Sequence, residues 1–217
     1  MAAIVLYSDA FWISPWVFSC FVGLREKALP FEVSEVALHK KQQLQAGYAG
    51  STLTGRVPAL RHGDFWLAES SAILEYLEEA FPPPGHPRLL PEGLTDRARA
   101  RQLLSWMRSD ETLPIRHERS SETLFYPGSP VRPLSANAQG AAAKLYEVAG
   151  RFLPRDDAPV FGAWSIVDAE LAFLLHRLIA GGDAVPEPLR RYAGAQWLRP
   201  SVAQYVAHAR VPFVRYF

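Results

Sequence analysis

A single cysteine, Cys20, stands among the 217 residues. One thiol excludes an intrachain disulfide, a dithiol redox centre and a multi-cysteine zinc site, and such sparing use fits a reducing, cytoplasmic setting. An excess of charge is lacking too. The 23 basic and 22 acidic residues give a formal net charge of +1, with no concentrated field for nucleic acid or an anionic membrane. No apolar run reaches the roughly 20 residues that a membrane-spanning helix needs. The nearest approach, residues 10–24, is uncharged and rich in Phe, Trp, Val and Ile. Asp9 rather than a basic residue precedes it and Pro15 interrupts it, so it reads as folded protein and not as a signal segment. The six histidines show no paired ligand spacing and no His-Glu-x-x-His occurs, so no metal is expected. Gly50 and Gly55 have phosphate-loop spacing, but Arg56-Val57 stands where Lys and Ser or Thr are required. Internal repeats and long low-complexity tracts are absent.

What is present suits a globular chain: 49% hydrophobic and 21% charged residues allow one or two domains with a substantial core. Ile4-Val5-Leu6-Tyr7 reads as a buried strand. Ser14-Pro15 pairs an N-cap hydroxyl with proline at the first helical position, opening a helix toward Lys27. Residues 31–36 predict a second strand and 38–48 a short helix. Two further strands, at 57–60 and 65–67, flank a turn at His62-Gly63-Asp64 and precede a helix over 70–80. The order is βαβαββα. Pro82, Pro83, Pro84, Gly85, Pro87 and Pro91 then make residues 82–93 a linker between a first domain at 1–81 and a second at 94–217.

The second domain reads as all helical. Ala100, Leu103, Leu104 and Met107 follow helical spacing, as do Leu171, Leu174, Leu175 and Leu178, with Gly181-Gly182 closing the latter helix. Ser165 and Asp168 form a capping box in which Asp replaces the usual Glu or Gln, a folding element that should nucleate a buried helix. Trp106 and Arg108, ahead of a proline-rich stretch at 114–133, and Arg116 and His117 within it are candidates to approach a second substrate, with no role assigned by the sequence.

The chemistry concentrates at Arg56-Val57-Pro58-Ala59-Leu60 and Leu67-Ala68-Glu69-Ser70-Ser71-Ala72-Ile73, where a strand, a backbone edge and a helix start meet. The first amides of a helix lack internal partners and carry the positive end of the peptide dipoles, so those at Ser70 suit a carboxylate. Glu69 beside them suits an amine, and together they suit an α-amino-acid end. The extended Val57 before Pro58 offers main chain for pairing with a small anionic peptide. Read alone, Glu69-Ser70-Ser71 before an apolar run is more readily an ordinary cap than a ligand site.

Val57-Pro58 followed by Glu69-Ser70 at this spacing resembles the glutathione S-transferase superfamily. The resemblance spans nearly the whole chain, strongest over residues 4–81 and 162–178. It implies a thioredoxin-like N-terminal domain followed by a C-terminal helical bundle, a cis-proline corner at Val57-Pro58, a γ-glutamyl site at Glu69-Ser70, and Arg56 where relatives carry a basic or amide side chain. The Ser165–Asp168 segment is similar to the superfamily's capping motif. Serine-type relatives place the thiol-activating hydroxyl at the strand-loop-helix junction that Ser14 occupies. Ser8 and Tyr7 are weaker alternatives, and Cys20, six residues beyond Ser14, lies on a different helical face and reads as a core residue. For the glycine carboxylate Arg56 comes first, with Lys40, Lys41, Gln42 and Gln43 open; His39-Lys40-Lys41 is as readily a solvated face.

The resemblance is nearest to bacterial serine-type glutathione transferases. Ser8-Asp9 and Arg97-Ala98-Arg99-Ala100-Arg101 resemble a subgroup with glutathione-dependent peroxidase activity. It implies glutathione as co-substrate with no permanently bound cofactor, a small electrophile or peroxide as second substrate, and a homodimer. The alternative is a noncatalytic binding or assembly module that kept only the fold.

Overall fold

The computed structural model describes residues 2–126, 128, 131–153 and 158–214. Its contacts divide the chain into one unit of Met1–Leu89 with Gln204–Phe217 and another of Leu90–Ala203.

The first unit runs β1 (Ile4–Asp9), α1 (Pro15–Glu26), β2 (Glu32–Val36), α2 (Ala46–Ala49), β3 (Ala59–His62), β4 (Phe65–Ala68) and α3 (Ser70–Ala80). The sheet order is β2-β1-β3-β4, with β1 parallel to β2 and the other pairs antiparallel, which is the expected thioredoxin-like arrangement. Leu6 faces Val33 on one side and Leu60 on the other. Leu6 and Leu60 are fully buried, as are Val17, Phe18, Leu24, Ile73 and Leu77 of α1 and α3. Gly23 lets those helices approach: a Cβ there would stand 2.8 Å from Leu74 Cδ2. The buried Lys27 ammonium lies 2.6 Å from Glu78 Oε2 and donates to the Phe81 carbonyl at 2.9 Å.

One expected helix does not form. Residues 38–48 give two single 3₁₀ turns, Leu38–Lys40 and Gln42–Leu44, and then the one-turn α2. Lys41 between them has φ 57°, a left-handed conformation that ends a right-handed helix. The Gln42 side chain takes the Ala37 amide at 2.8 Å.

The second unit contains α4 (Leu94–Arg108), α5 (Leu113–Glu118), α6 (Ser121–Phe125), α7 (Ala136–Phe152), α8 (Ile166–Ala180) and α9 (Glu187–Trp197), while α10 (Pro200–Val206) runs across the division of the chain. The helical bundle expected after the linker is present. Its central α8 buries Ile166, Val167, Ala169, Ala172, Leu175 and Leu178 completely. Asp168, also fully buried, accepts from the Val160 amide (2.8 Å), the Ser165 amide (2.8 Å), the Ser165 hydroxyl (3.2 Å) and the Tyr192 hydroxyl (2.7 Å). Four donors on one carboxylate make the capping box a staple between α8, α9 and the segment before them. Arg119, 2% exposed, pairs bidentately with Asp183 at 2.5 and 2.7 Å.

The described residues from Gln204 onward group with the first unit. The reason is aromatic: the buried Tyr205 ring meets Phe18 and Phe21 edge-on, with centroids 5.3 and 5.5 Å away. Among the described residues no helix is long and apolar enough to cross a membrane.

Candidate functional site

The loop from β1 into α1 is organised by Asp9. Its carboxylate, 1% exposed, accepts the amides of Phe11 and Ile13 at Oδ1 (both 3.1 Å) and of Ser14 at Oδ2 (3.0 Å). Burial pushes the Asp9 carboxyl above its ordinary range, against the opposing pull of those amides. The loop delivers the half-buried Ser14 to the N-cap of α1 in extended conformation, with Pro15 following as the first helical residue. Ser14 Oγ accepts the Val17 amide at 3.3 Å. That contact uses an oxygen lone pair, so the hydroxyl proton stays available for donation.

The corner lies on the same unit. The Val57-Pro58 peptide is cis. Tyr48, whose hydroxyl burial pushes up, donates to the Arg56 carbonyl at 2.7 Å, tying α2 to the corner. Val57 packs on Val36, Tyr48 and Ala59, and among the described residues its main chain enters no ladder pair. The Arg56 side chain is exposed.

Glu69 caps α3 with φ 71° and ψ 116°, a conformation that costs a non-glycine residue about 1–3 kcal/mol and recurs at ligand clamps. Its exposed carboxylate accepts the Thr54 hydroxyl at 3.1 Å. Ser70 is 6% exposed, and its carbonyl lies 3.9 Å from Cys20 Sγ, linking the first turn of α3 to α1. Cys20 is fully buried.

Of the alternative hydroxyls, that of Ser8 is occupied, while Tyr7 has its ring packed. Ser8 is fully buried and donates to the Asp9 carbonyl at 3.0 Å. Tyr7 stacks on Trp66 (4.8 Å, 26°) and meets Tyr48 edge-on at 5.5 Å. Lys40 and Lys41 are exposed, and Gln42 is held by Ala37. Of the second-substrate candidates, Arg108 forms a bidentate pair with Glu170, and Arg116 donates to the carbonyls of Arg108 (3.2 Å) and Ser109 (3.0 Å). Trp106 Nε1 donates to Glu111 at 2.7 Å, and His117 is exposed. Three of the four therefore make scaffold contacts. Part of the proline-rich stretch, Pro127, Ser129 and Pro130, lies outside the described residues.

A family model of the glutathione S-transferase N-terminal domain matches residues 13–80, and one of the C-terminal domain matches residues 93–210. The chain belongs to the glutathione S-transferase family. A glutathione transferase homologue from Burkholderia gl BGR1, solved with bound glutathione, is 42% identical, with TM-score 0.78 over 94% of this chain and 96% of that one. Rat glutathione S-transferase theta-1 is 27% identical over 183 residues, 82% of this chain and 75% of that protein. Mouse glutathione S-transferase theta-3 is 37% identical over 86 residues, so the matched part spans only 35% of its length and 40% of this chain.

Several residues that shape the candidate site escaped sequence reasoning. Asp9 carried a signal, an acid at a strand end before a loop into Ser-Pro, but its three amide partners are set by tertiary folding. Thr54 and Tyr48 gave no local signal.

Proposed function

We propose that this chain binds glutathione at the Val57-Pro58 and Glu69-Ser70 corner and uses Ser14 to hold the thiol as thiolate for attack on a small electrophile. The single observation that carries the reading is the Ser14 cap, whose oxygen is engaged by Val17 while its proton remains to donate at the open end of α1. Val57 offers main chain to the tripeptide, Glu69 and the first amides of α3 take the amino-acid end, and Arg56 takes the glycine carboxylate. The glutathione in the Burkholderia homologue supports this choice of ligand.

A free thiol with pKa about 8.5 is only about 3% ionised at pH 7, and lowering it by about two units, or about 2.7 kcal/mol, makes thiolate the major form. A hydroxyl donating to charged sulfur contributes about 1.5–3 kcal/mol and a helix N-terminus about 0.3–1 kcal/mol, a combined range that spans this requirement. A less basic thiolate is also a weaker nucleophile, so the rate gain is about tens of fold. The thiol proton leaves to solvent. The sulfur lone pair forms the new bond to carbon, and the electrophile's leaving group departs with the old bonding pair. Attack on a peroxide oxygen extends the same chemistry: sulfur bonds to oxygen, the O–O bond breaks with release of water or an alcohol, and a second glutathione displaces the sulfenic hydroxyl as water to give the disulfide. The same reading includes a homodimeric assembly, a cytoplasmic setting and a role for the helical unit in recognising the second substrate.

Calorimetric titration with reduced glutathione tests the site: saturable binding lost in the Glu69→Ala/Ser70→Ala double variant supports it. No binding at millimolar glutathione favours the noncatalytic module. Turnover with an arylating electrophile, abolished in Ser14→Ala, tests the chemistry.

A further inference from the structure

We infer that the C-terminal segment is a strap that fixes the Ser14 loop, with Tyr205 and Arg210 as positioning residues; this rests on Ser14 being the thiol-activating group. Asp9 holds only the amides of the loop. Two of its carbonyls go to the tail. The fully buried Tyr205 donates its hydroxyl to the Ser14 carbonyl at 3.1 Å, and Arg210 Nε donates to the Trp12 carbonyl at 3.2 Å.

Arg210 also gathers the tail around itself. Its Nη1 donates to the carbonyls of Val206 (2.8 Å) and His208 (2.9 Å), and its Nη2 to that of Tyr205 (3.0 Å). Four carbonyls on one guanidinium use the planar fork that distinguishes arginine from lysine. Rings close the strap: His208 stacks on Trp12 at 3.6 Å and 19°, and Phe213 meets Phe11 edge-on at 5.1 Å. Trp12 itself has φ 52°, a conformation that persists only where its surroundings over-determine it. Those surroundings are the tail on one side and Glu35, which accepts Trp12 Nε1 at 2.7 Å, on the other.

The Ser14 carbonyl also accepts the Phe18 amide at 3.0 Å, the first hydrogen bond of α1, so Tyr205 anchors the residue whose side chain caps the helix. A misplacement of about 1 Å at a reacting group costs as much as about a hundredfold in rate. Contacts run from the strap to Phe11, Trp12 and Ser14, on the thiol side of the proposed site, so the strap acts on positioning of the thiol rather than on binding of the tripeptide.

The test uses the full chain and the variants Tyr205→Phe, which keeps the ring, Arg210→Lys and Arg210→Ala. Glutathione affinity is read by calorimetry, folding by urea midpoint, and kcat/KM for an arylating electrophile across pH. The expected result is kcat/KM lower by about tenfold in Tyr205→Phe and Arg210→Ala, with the acid limb of the profile moved up by about half a unit. Glutathione affinity stays within about twofold, and Arg210→Lys fails to rescue. An unmoved profile in both Tyr205→Phe and Arg210→Ala overturns the strap, as does a loss of rate that merely follows the loss of folded protein. Ser14→Ala is run in parallel. If it moves the profile and Tyr205→Phe does not, the strap alone falls; if Ser14→Ala leaves the profile unmoved, the reading of Ser14 falls and the strap with it.

Discussion

The Asp9 carboxylate accepts the main-chain amide of Ser14 at 3.0 Å. An acid at the end of a strand thereby sets where the cap of the next helix begins. Asp9→Ala leaves three amides without their acceptor, and a loss of about 1–3 kcal/mol in unfolding free energy is expected, together with reduced turnover. Because burial raises the folded carboxyl above its unfolded value of 3.8, the folded chain retains the proton to higher pH. This ionisation's contribution to stability is complete below the unfolded value and is lost as pH rises through the folded one. Urea unfolding of wild type and Asp9→Ala between pH 4 and 7 should therefore show the wild-type advantage largest at the acid end.

At Glu69 the backbone and the carboxylate have separable effects. Glycine tolerates φ 71° without strain, so Glu69→Gly should leave unfolding free energy unchanged or raise it by up to about 1 kcal/mol. The same change removes the proposed charged contact to glutathione, worth about 1.5–3 kcal/mol, so affinity is expected to weaken by about tenfold to a hundredfold. Thermal unfolding and calorimetry on one preparation check both. Unchanged affinity removes Glu69 from the site.

Gly181 is required by proximity rather than by its own conformation. Its φ is an ordinary −72°, but a Cβ would lie 2.3 Å from Arg119 Nε and 2.4 Å from Arg119 Cδ. Gly181→Ala must displace the guanidinium that pairs with Asp183, at a cost of about 1–3 kcal/mol. A urea midpoint equal to wild type contradicts this packing.

Burial holds the His176 imidazole below its ordinary pKa of 6.5, although Nε2 donates to the Ala193 carbonyl at 3.0 Å. The unfolded chain therefore takes up the proton first, and stability falls as pH drops from about 6.5 toward the depressed folded value. His176→Gln removes that titration. The wild-type stability profile between pH 7.5 and 5 should slope downward more steeply than the variant's, and parallel profiles contradict the assignment.

Local grammar made much of this fold legible. Ser14-Pro15 and Ser165 with Asp168 announce helix starts, because a cap needs only a few neighbouring residues. The βαβαββα order follows from periodicity broken by turns. Lys41 was not legible: nothing in His39-Lys40-Lys41-Gln42 signals a left-handed residue, and a continuous helix was the natural reading. Arg108 and Glu170 pair across 62 positions, so the arginine looked available for substrate. The return of Tyr205 to Phe18 and Ser14 likewise depends on ring packing between distant segments. Around the candidate site, the Val57-Pro58 corner and the helix start at Ser70 were legible from neighbouring residues, while the contacts of Asp9 and Tyr205 with Ser14 were not.

The ultraviolet thiolate absorbance of bound glutathione, titrated against pH in wild type and Ser14→Ala, decides whether the Ser14 hydroxyl activates the sulfur. The expected wild-type midpoint lies about two units below that of the free thiol and returns most of the way toward about 8.5 in Ser14→Ala while glutathione remains bound. An identical midpoint in the two proteins contradicts it.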